Sequence, residues 1–367
     1  MPNTYQKIKQ KNFFTPPSHW HRIKTIDMHT GGEPLRVMID GLPELKGNNV
    51  LEYRQCMKND YDYFRKALMH EPRGHADMYG CILLPPNRIE MEIPPKGNFN
   101  RDDEVADFGI IFLHNEGYST MCGHAIIAIT KLAVELGWVE VTEPKTIVRI
   151  DAPCGRITAF AKIKDGKVDT VYFHGVPSFV VALDQEVDVA GLGTVQYDLA
   201  YGGAFYAYVN ANTLDIDLTP ENYNEIIKKG MAIKHAVMAS KQKSVHPFEP
   251  DLSFLYGIIF IGGPVTEGID SRNVCIFADG ELDRCPTGSG VSGRMAIHFA
   301  RKELIIGKTM TIESITGSIF KGAIVRTTPY GSYEAVIPQV EGSAYITGQH
   351  EFLIDPEDPF KQGFFLR

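Results

Sequence analysis

The sequence predicts an α+β chain of two β-rich halves, each wrapped around one central helix. Three observations carry this. Short β-prone runs broken by Gly and Pro fill most of the 367 residues. Two segments, CGHAIIAITKLAVELG (122–137) and TGSGVSGRMAIHFARKEL (287–304), are instead mostly apolar for several turns, and a helix apolar on most sides is a buried one. Laid on each other with Cys122 over Thr287, an offset of 165, they match position by position. Gly123 falls on Gly288, His124 on Ser289, Ala125 on Gly290, Ile126 on Val291 and Leu132 on Ile297. A weak internal repeat of this kind predicts pseudo-symmetry, and the length suits two domains of ordinary size.

Residues 1–21 carry lysines but no apolar core, so they read as a partly mobile arm and not as a secretory signal. The helix at 122–137 is ended by Gly137. RITAFAKI (156–163) and VDTVYF (168–173) flank Lys164-Asp165-Gly166-Lys167, a turn signal that predicts a hairpin. YGGAFYAYV (201–209) and GIIFIGG (257–263) read as strands. Between them, LTPENYNEIIKKGMAIKHAVMASK reads as a helix with Thr219 as N-cap and Pro220 in its first position. After the second apolar helix, residues 323–337 and 342–354 are β-rich again. The expected division is residues 22–150 plus 338–367 in the first half and 151–337 in the second.

Composition narrows the function. The formal net charge is −8 and there is no long basic run, which argues against a nucleic-acid partner. No stretch approaches the ~20 apolar residues of a membrane span. The six cysteines are scattered and form no C-x-x-C pair, which argues against a structural zinc site and a disulfide framework. The expected setting is a reducing, cytoplasmic compartment with free thiols. The histidines show no metal-ligand spacing, so no metal is expected.

The chemistry is expected at the two helix starts. A helix N-terminus offers unpaired N–H groups and partial positive charge, and binds carboxylates. Two such starts meeting in a cleft would hold a substrate carboxylate between them and place residues 122 and 287 on opposite faces of its α-carbon. Cys122, at a helix start, is expected to have a lowered pKa. Cys285, two residues before Thr287 with Pro286 between, is expected to face away and pack.

These residues resemble the proline racemase family. The resemblance rests on STMCGHA (119–125) and DRCPTGSG (283–290), with IDMHTGGEPLRVM (26–38), EPRGHADMYG (71–80), VPSFV (176–180) and YGGAFYAYV (201–209), and runs from about residue 22 to near the C-terminus. It implies a diaminopimelate-epimerase-like fold: two pseudo-symmetric halves, each a curled, mostly antiparallel sheet around a central helix. It also implies an active site between them, no cofactor, a homodimer and a small amino-acid substrate. Family racemases carry a cysteine at each helix start; here the second position is Thr287, and Cys285 occupies the family's serine position. That pattern resembles trans-3-hydroxy-L-proline dehydratases. Carried over residue by residue, Cys122 and Thr287 are the catalytic positions, and Gly123, His124, Asp283, Gly288 and Ser289 the substrate contacts. His75 and Asp77 are further candidates for the cleft wall.

A threonine hydroxyl is too weak an acid to cycle protons near neutral pH without a partner base, and the sequence puts no obvious base beside Thr287. One-base elimination is therefore expected over two-base racemisation. The rivals are a proline or 4-hydroxyproline racemase using Cys285 or water, a cysteine hydrolase built on Cys122 and His124, which adjacent-turn geometry makes awkward, and a non-catalytic ligand-binding member of the fold.

Overall fold

The computed structural model describes residues 3–11, 14–87 and 105–366. The two halves repeat one succession of strand pairings. In the first, Ala344–Ile354 pairs antiparallel with His21–Thr30, which pairs antiparallel with Glu33–Asp40. Glu33–Asp40 runs parallel to Gly80–Leu84, which is antiparallel to Phe108–Leu113; that strand runs parallel to Lys145–Ala152, and the antiparallel strands Gly155–Lys164 and Lys167–His174 follow. In the second, Phe179–Val189, Gly193–Tyr201, Phe205–Asn210, Leu255–Gly262, Ser271–Phe277, Thr309–Glu313, Ile319–Tyr330 and Tyr333–Gly342 repeat the same alternation. Residues 339–342 and 171–174 then pair with each other and join the halves.

Each parallel pairing demands a crossover, and helices supply them. Val50–Asp60 and Asp62–Met69 form the first, and Tyr223–Ala239 is its counterpart. The apolar helices Gly123–Glu135 and Gly288–Ala300 form the others. Residues 123–130 and 288–297 are buried throughout, so the apolar periodicity marks helices enclosed by sheet.

The predicted hairpin is present, with Asp165 and Gly166 at positive φ between Lys164 and Lys167. Three elements differ in detail. YGGAFYAYV is two strands hinged at Gly203, whose φ of +98° breaks the run. Residues 323–337 lie in a second hairpin that turns after Tyr330. Thr219 opens a 3-10 turn, Pro220–Asn222, and the α-helix begins at Tyr223. In the N-terminal arm, Thr4–Gln10 forms a helix capped by Asn3, with no buried residue.

Candidate active site

The two core helices meet end to end. Cys122 and Thr287 are their N-caps. Gly123 and Gly288 abut so closely that a Cβ on Gly123 would lie 2.5 Å from the Gly288 Cα, and one on Gly288 would lie 2.7 Å from the Gly123 Cα. Only glycine permits this approach. Helical bonding starts at Ile126 N–H to Cys122 C=O and at Val291 N–H to Thr287 C=O. The N–H groups of Gly123, His124, Gly288 and Ser289 therefore precede both ladders and converge at the junction.

A narrow cleft of about 20 Å³ lies there, and all seven residues expected at the site line it: Cys122, Gly123, His124, Asp283, Thr287, Gly288 and Ser289. Tyr79, Tyr206, Tyr256 and Phe277 add an aromatic wall that the sequence did not signal, because aromatic residues in strands read equally well as core. Tyr206 hydrogen-bonds Ser289 (Oη to Oγ, 2.8 Å) and Tyr79 hydrogen-bonds Ser119 (2.5 Å), which fixes both rings. His75 and Asp77 do not line the cleft. Asp77 pairs instead with Arg284 at 2.6 Å, across the two halves.

Four features correct the sequence reading. The Asp283 carboxylate stands beside Thr287, accepting its hydroxyl at 2.7 Å and the Cys285 N–H at 2.8 Å, so a basic group does adjoin the threonine. Thr287 itself has φ +65°, a strained conformation for a β-branched residue, held by that bond and by its N–H on Cys285 Sγ at 3.4 Å. Cys122 Sγ lies 3.1 Å from His124 Nδ1, so the two side chains do meet despite their adjacency on the helix.

The fourth concerns charge. Burial pushes the Cys122 thiol well above its usual range, and Asp283 and Glu33 push it further. The Ala125 N–H and the Tyr79 hydroxyl, which hydrogen-bond the sulfur, pull the other way without winning. The expected lowering considered the helix start alone. Burial likewise pushes His124 down to about 4, so its imidazole is neutral near pH 7.

Glu33, unnoticed in the sequence, sits behind the loop. It is fully buried and accepts the Arg284 N–H at 2.7 Å. Burial and Asp283 hold its carboxyl well above the usual carboxylate range. Cys285 is fully buried and absent from the cleft lining, but its sulfur does not turn away from the loop, since it accepts the Thr287 N–H. Ligating atoms of His124, Asp283 and Cys285 lie within 4.8 Å of one another, a grouping the histidine spacing did not reveal. Both Asp283 oxygens there are already engaged by Thr287 and Cys285.

The family profile described as proline racemase matches residues 25–365. A trans-3-hydroxy-L-proline dehydratase of Colwellia psychrerythraea is 49% identical over 361 residues, 98% of this chain and 95% of that protein. A 3-hydroxyproline 2-epimerase of Burkholderia multivorans is 44% identical, covering 94% of this chain and 98% of that protein. Among solved structures, a hydroxyproline epimerase from Agrobacterium vitis with bound trans-4-hydroxy-L-proline superposes with a TM-score of 0.85 at 29% identity, covering 95% of this chain and 96% of that one.

Proposed function

The chain belongs to the proline racemase family, and from that premise we propose that it is a cofactor-independent hydro-lyase that dehydrates trans-3-hydroxy-L-proline to 1-pyrroline-2-carboxylate. The observation that carries this reading is the asymmetry of the cleft. One helix start offers a thiol, Cys122; the other offers Thr287, whose hydroxyl is bound to Asp283, while the fully buried Cys285 does not line the cleft.

In trans-3-hydroxy-L-proline the 3-hydroxyl and the α-hydrogen share one ring face. Cys122, as thiolate, takes the α-proton from that face. The new thiol then gives the proton to the departing 3-hydroxyl. The C3–O bond breaks, water leaves, and a C2–C3 double bond forms; the enamine tautomerises to the imine. The same thiolate is regenerated, so a single base suffices.

The surroundings suit this sequence. The substrate carboxylate takes the N–H groups at the helix junction, where negative charge developing at the α-carbon is also stabilised. The ring ammonium faces Asp283. Burial above all holds the Cys122 thiol up, with Asp283 and Glu33 adding to it, and the ammonium's positive charge counters those carboxylates and so favours the thiolate when substrate is bound. The four aromatic rings pack the pyrrolidine and exclude water. Thr287, on the far face, is a hydrogen-bonding wall kept in place by Asp283.

We also propose a cytoplasmic homodimer, which six free thiols and family membership support; light scattering in solution tests the assembly. Among the described residues no helix is long and apolar enough to cross a membrane. We place the division of the chain near residues 175 and 343, not at the expected 150 and 338, because Gly155–Lys164 and Lys167–His174 continue the first sheet and Tyr333–Gly342 completes the second.

The test is incubation with trans-3-hydroxy-L-proline, with the cyclic imine detected by o-aminobenzaldehyde. A second reading, 3-hydroxyproline 2-epimerase, is favoured by the hydrogen bond between Thr287 and Asp283, which offers a proton path on the second face. Rapid inversion at the α-carbon with uptake of solvent deuterium, and no imine, would establish that reading instead.

A further inference from the structure

A second cavity, of about 480 Å³, lies between the halves and shares Tyr256 with the reaction cleft, His114 packing against that ring. Arg54, Lys58 and Arg65 line it from the helices Val50–Asp60 and Asp62–Met69; Lys234 lines it from Tyr223–Ala239, in the other half. Its lining carboxylates are Asp62 and Glu116. Asp62 is occupied by Arg65, at 2.6 and 2.9 Å. Glu116 is largely exposed and 4.0 Å from Lys234 Nζ.

Neither lining carboxylate pairs with Arg54, and the Asp251 charge, from outside the lining, acts on it without overcoming burial. Its side chain is buried, 9% exposed, and Nη2 donates to the Tyr118 carbonyl at 2.7 Å, while Nε has no hydrogen-bond partner among the described residues. Lys234 is 6% exposed and donates to the Ala278 carbonyl. Burial pushes both cations below their ordinary range, and Arg65, Lys234 and Arg54 add to burial in pushing His114 down. Buried charges are costly unless paired, and although Asp251 acts on Arg54 and Glu116, Asp279 and Glu281 act on Lys234, they offset the cost of burial only in part.

We propose that this cavity is an oxyanion-binding site for a small carboxylate or phosphate, gripped by Arg54 from one half and Lys234 from the other, with the exposed Lys58 at its mouth. A guanidinium suits two oxygens of one anion. Because the two grips come from different halves, the anion also holds the halves together, and through the shared Tyr256 its binding is coupled to occupancy of the reaction cleft. Coupling of this kind is reciprocal. The anion has two possible sources: the carboxylate of an amino acid on its way to the cleft, or an independent anion such as inorganic phosphate.

The test is thermal unfolding of the whole protein at constant ionic strength, titrated with inorganic phosphate and separately with acetate, with chloride as the balancing salt. The site predicts a saturable rise in Tm beyond that in chloride. The midpoint should shift at least tenfold in Arg54→Gln and Lys234→Met. Lys58→Glu, at an exposed position that leaves the fold intact by circular dichroism, should shift it at least threefold. Substrate as the natural occupant predicts a raised KM with unchanged kcat in Arg54→Gln, and competition by phosphate. An independent anion predicts an unchanged KM, with phosphate still raising the Tm of protein saturated with pyrrole-2-carboxylate. Binding is read here without turnover, so it stands or falls separately from the dehydratase reading. No saturable rise over chloride, or equal midpoints in the wild type and Lys58→Glu, overturns the site.

Discussion

Replacing Cys122 with Ser should lower turnover at least a thousandfold while circular dichroism and Tm stay near wild type, because the thiol is asked only for its proton chemistry. Cys285→Ser should keep most activity, since the serine oxygen can still accept the Thr287 N–H; its cost is stability, on the order of 1 kcal/mol for a buried hydroxyl imperfectly bonded. The reverse pattern of activities would move the base to Cys285. Asp283→Asn removes the negative charge that most raises the Cys122 thiol after burial itself. Its kcat/KM profile, which in the wild type should climb with pH on the alkaline side as Cys122 ionises in the free enzyme, should shift to lower pH while KM rises. A profile that does not move would separate Asp283 from the thiol. Thr287→Cys should let the protein exchange the α-proton of proline with solvent, slowly, because Asp283 sits against the new thiol and holds it protonated. Chiral separation in deuterated buffer reads this out.

At the scale of elements, the critical feature is the abutment of two helix starts. Gly288→Ala forces a Cβ to within 2.7 Å of the Gly123 backbone, where neither helix end can yield because both are enclosed. The helices must part, at a cost on the order of 1–3 kcal/mol, and the converging N–H groups lose their common focus. Denaturant unfolding and kcat/KM should both fall; a stable variant of normal activity would mean the junction is looser than its geometry states. Both helices were legible in the sequence because a small-residue start followed by a mostly apolar run of that length suits a buried helix and is too long for a strand. The strands at 201–209 and 323–337 were legible as β but not as hairpins. Their turns rest on Gly203 and Gly331, which look no different in sequence from glycines inside a strand.

At the scale of the whole molecule, burial of titratable groups sets the response to pH. His124 and His246, each pushed down to about 4, are neutral when folded, whereas the unfolded chain takes up their protons near 6.5. Folding therefore binds fewer protons in this window, and stability falls as pH drops from about 6.5 toward 4, by about 1.4 kcal/mol for each tenfold loss of proton affinity at a fully buried site. Glu33 works in the opposite sense. Its raised carboxyl binds a proton more tightly when folded, so its contribution is present at low pH and is lost as pH rises through the folded value. Glu33→Gln, which copies the protonated acid, should match the wild type in Tm near pH 5 and exceed it near pH 8.5. Equal Tm at both pH values would show that Glu33 is not protonated in the fold.

The sequence by itself determined the two-halved α+β plan, the two buried helices, and the membership of Cys122, Gly123, His124, Asp283, Thr287, Gly288 and Ser289 in one cleft. The plan and the helices follow from local composition, which chain order preserves; the membership of the seven residues follows from the resemblance of their motifs to the proline racemase family. Only the tertiary structure decided the bond between Asp283 and Thr287, the contact of Cys122 with His124, the raised thiol and the place of Glu33. Each depends on how far a side chain is removed from water and on which distant charge lies beside it. Cys122 shows the reason plainly: its position at a helix start favours the thiolate, but desolvation and two carboxylates, one from residue 33 and one from residue 283, outweigh that local preference.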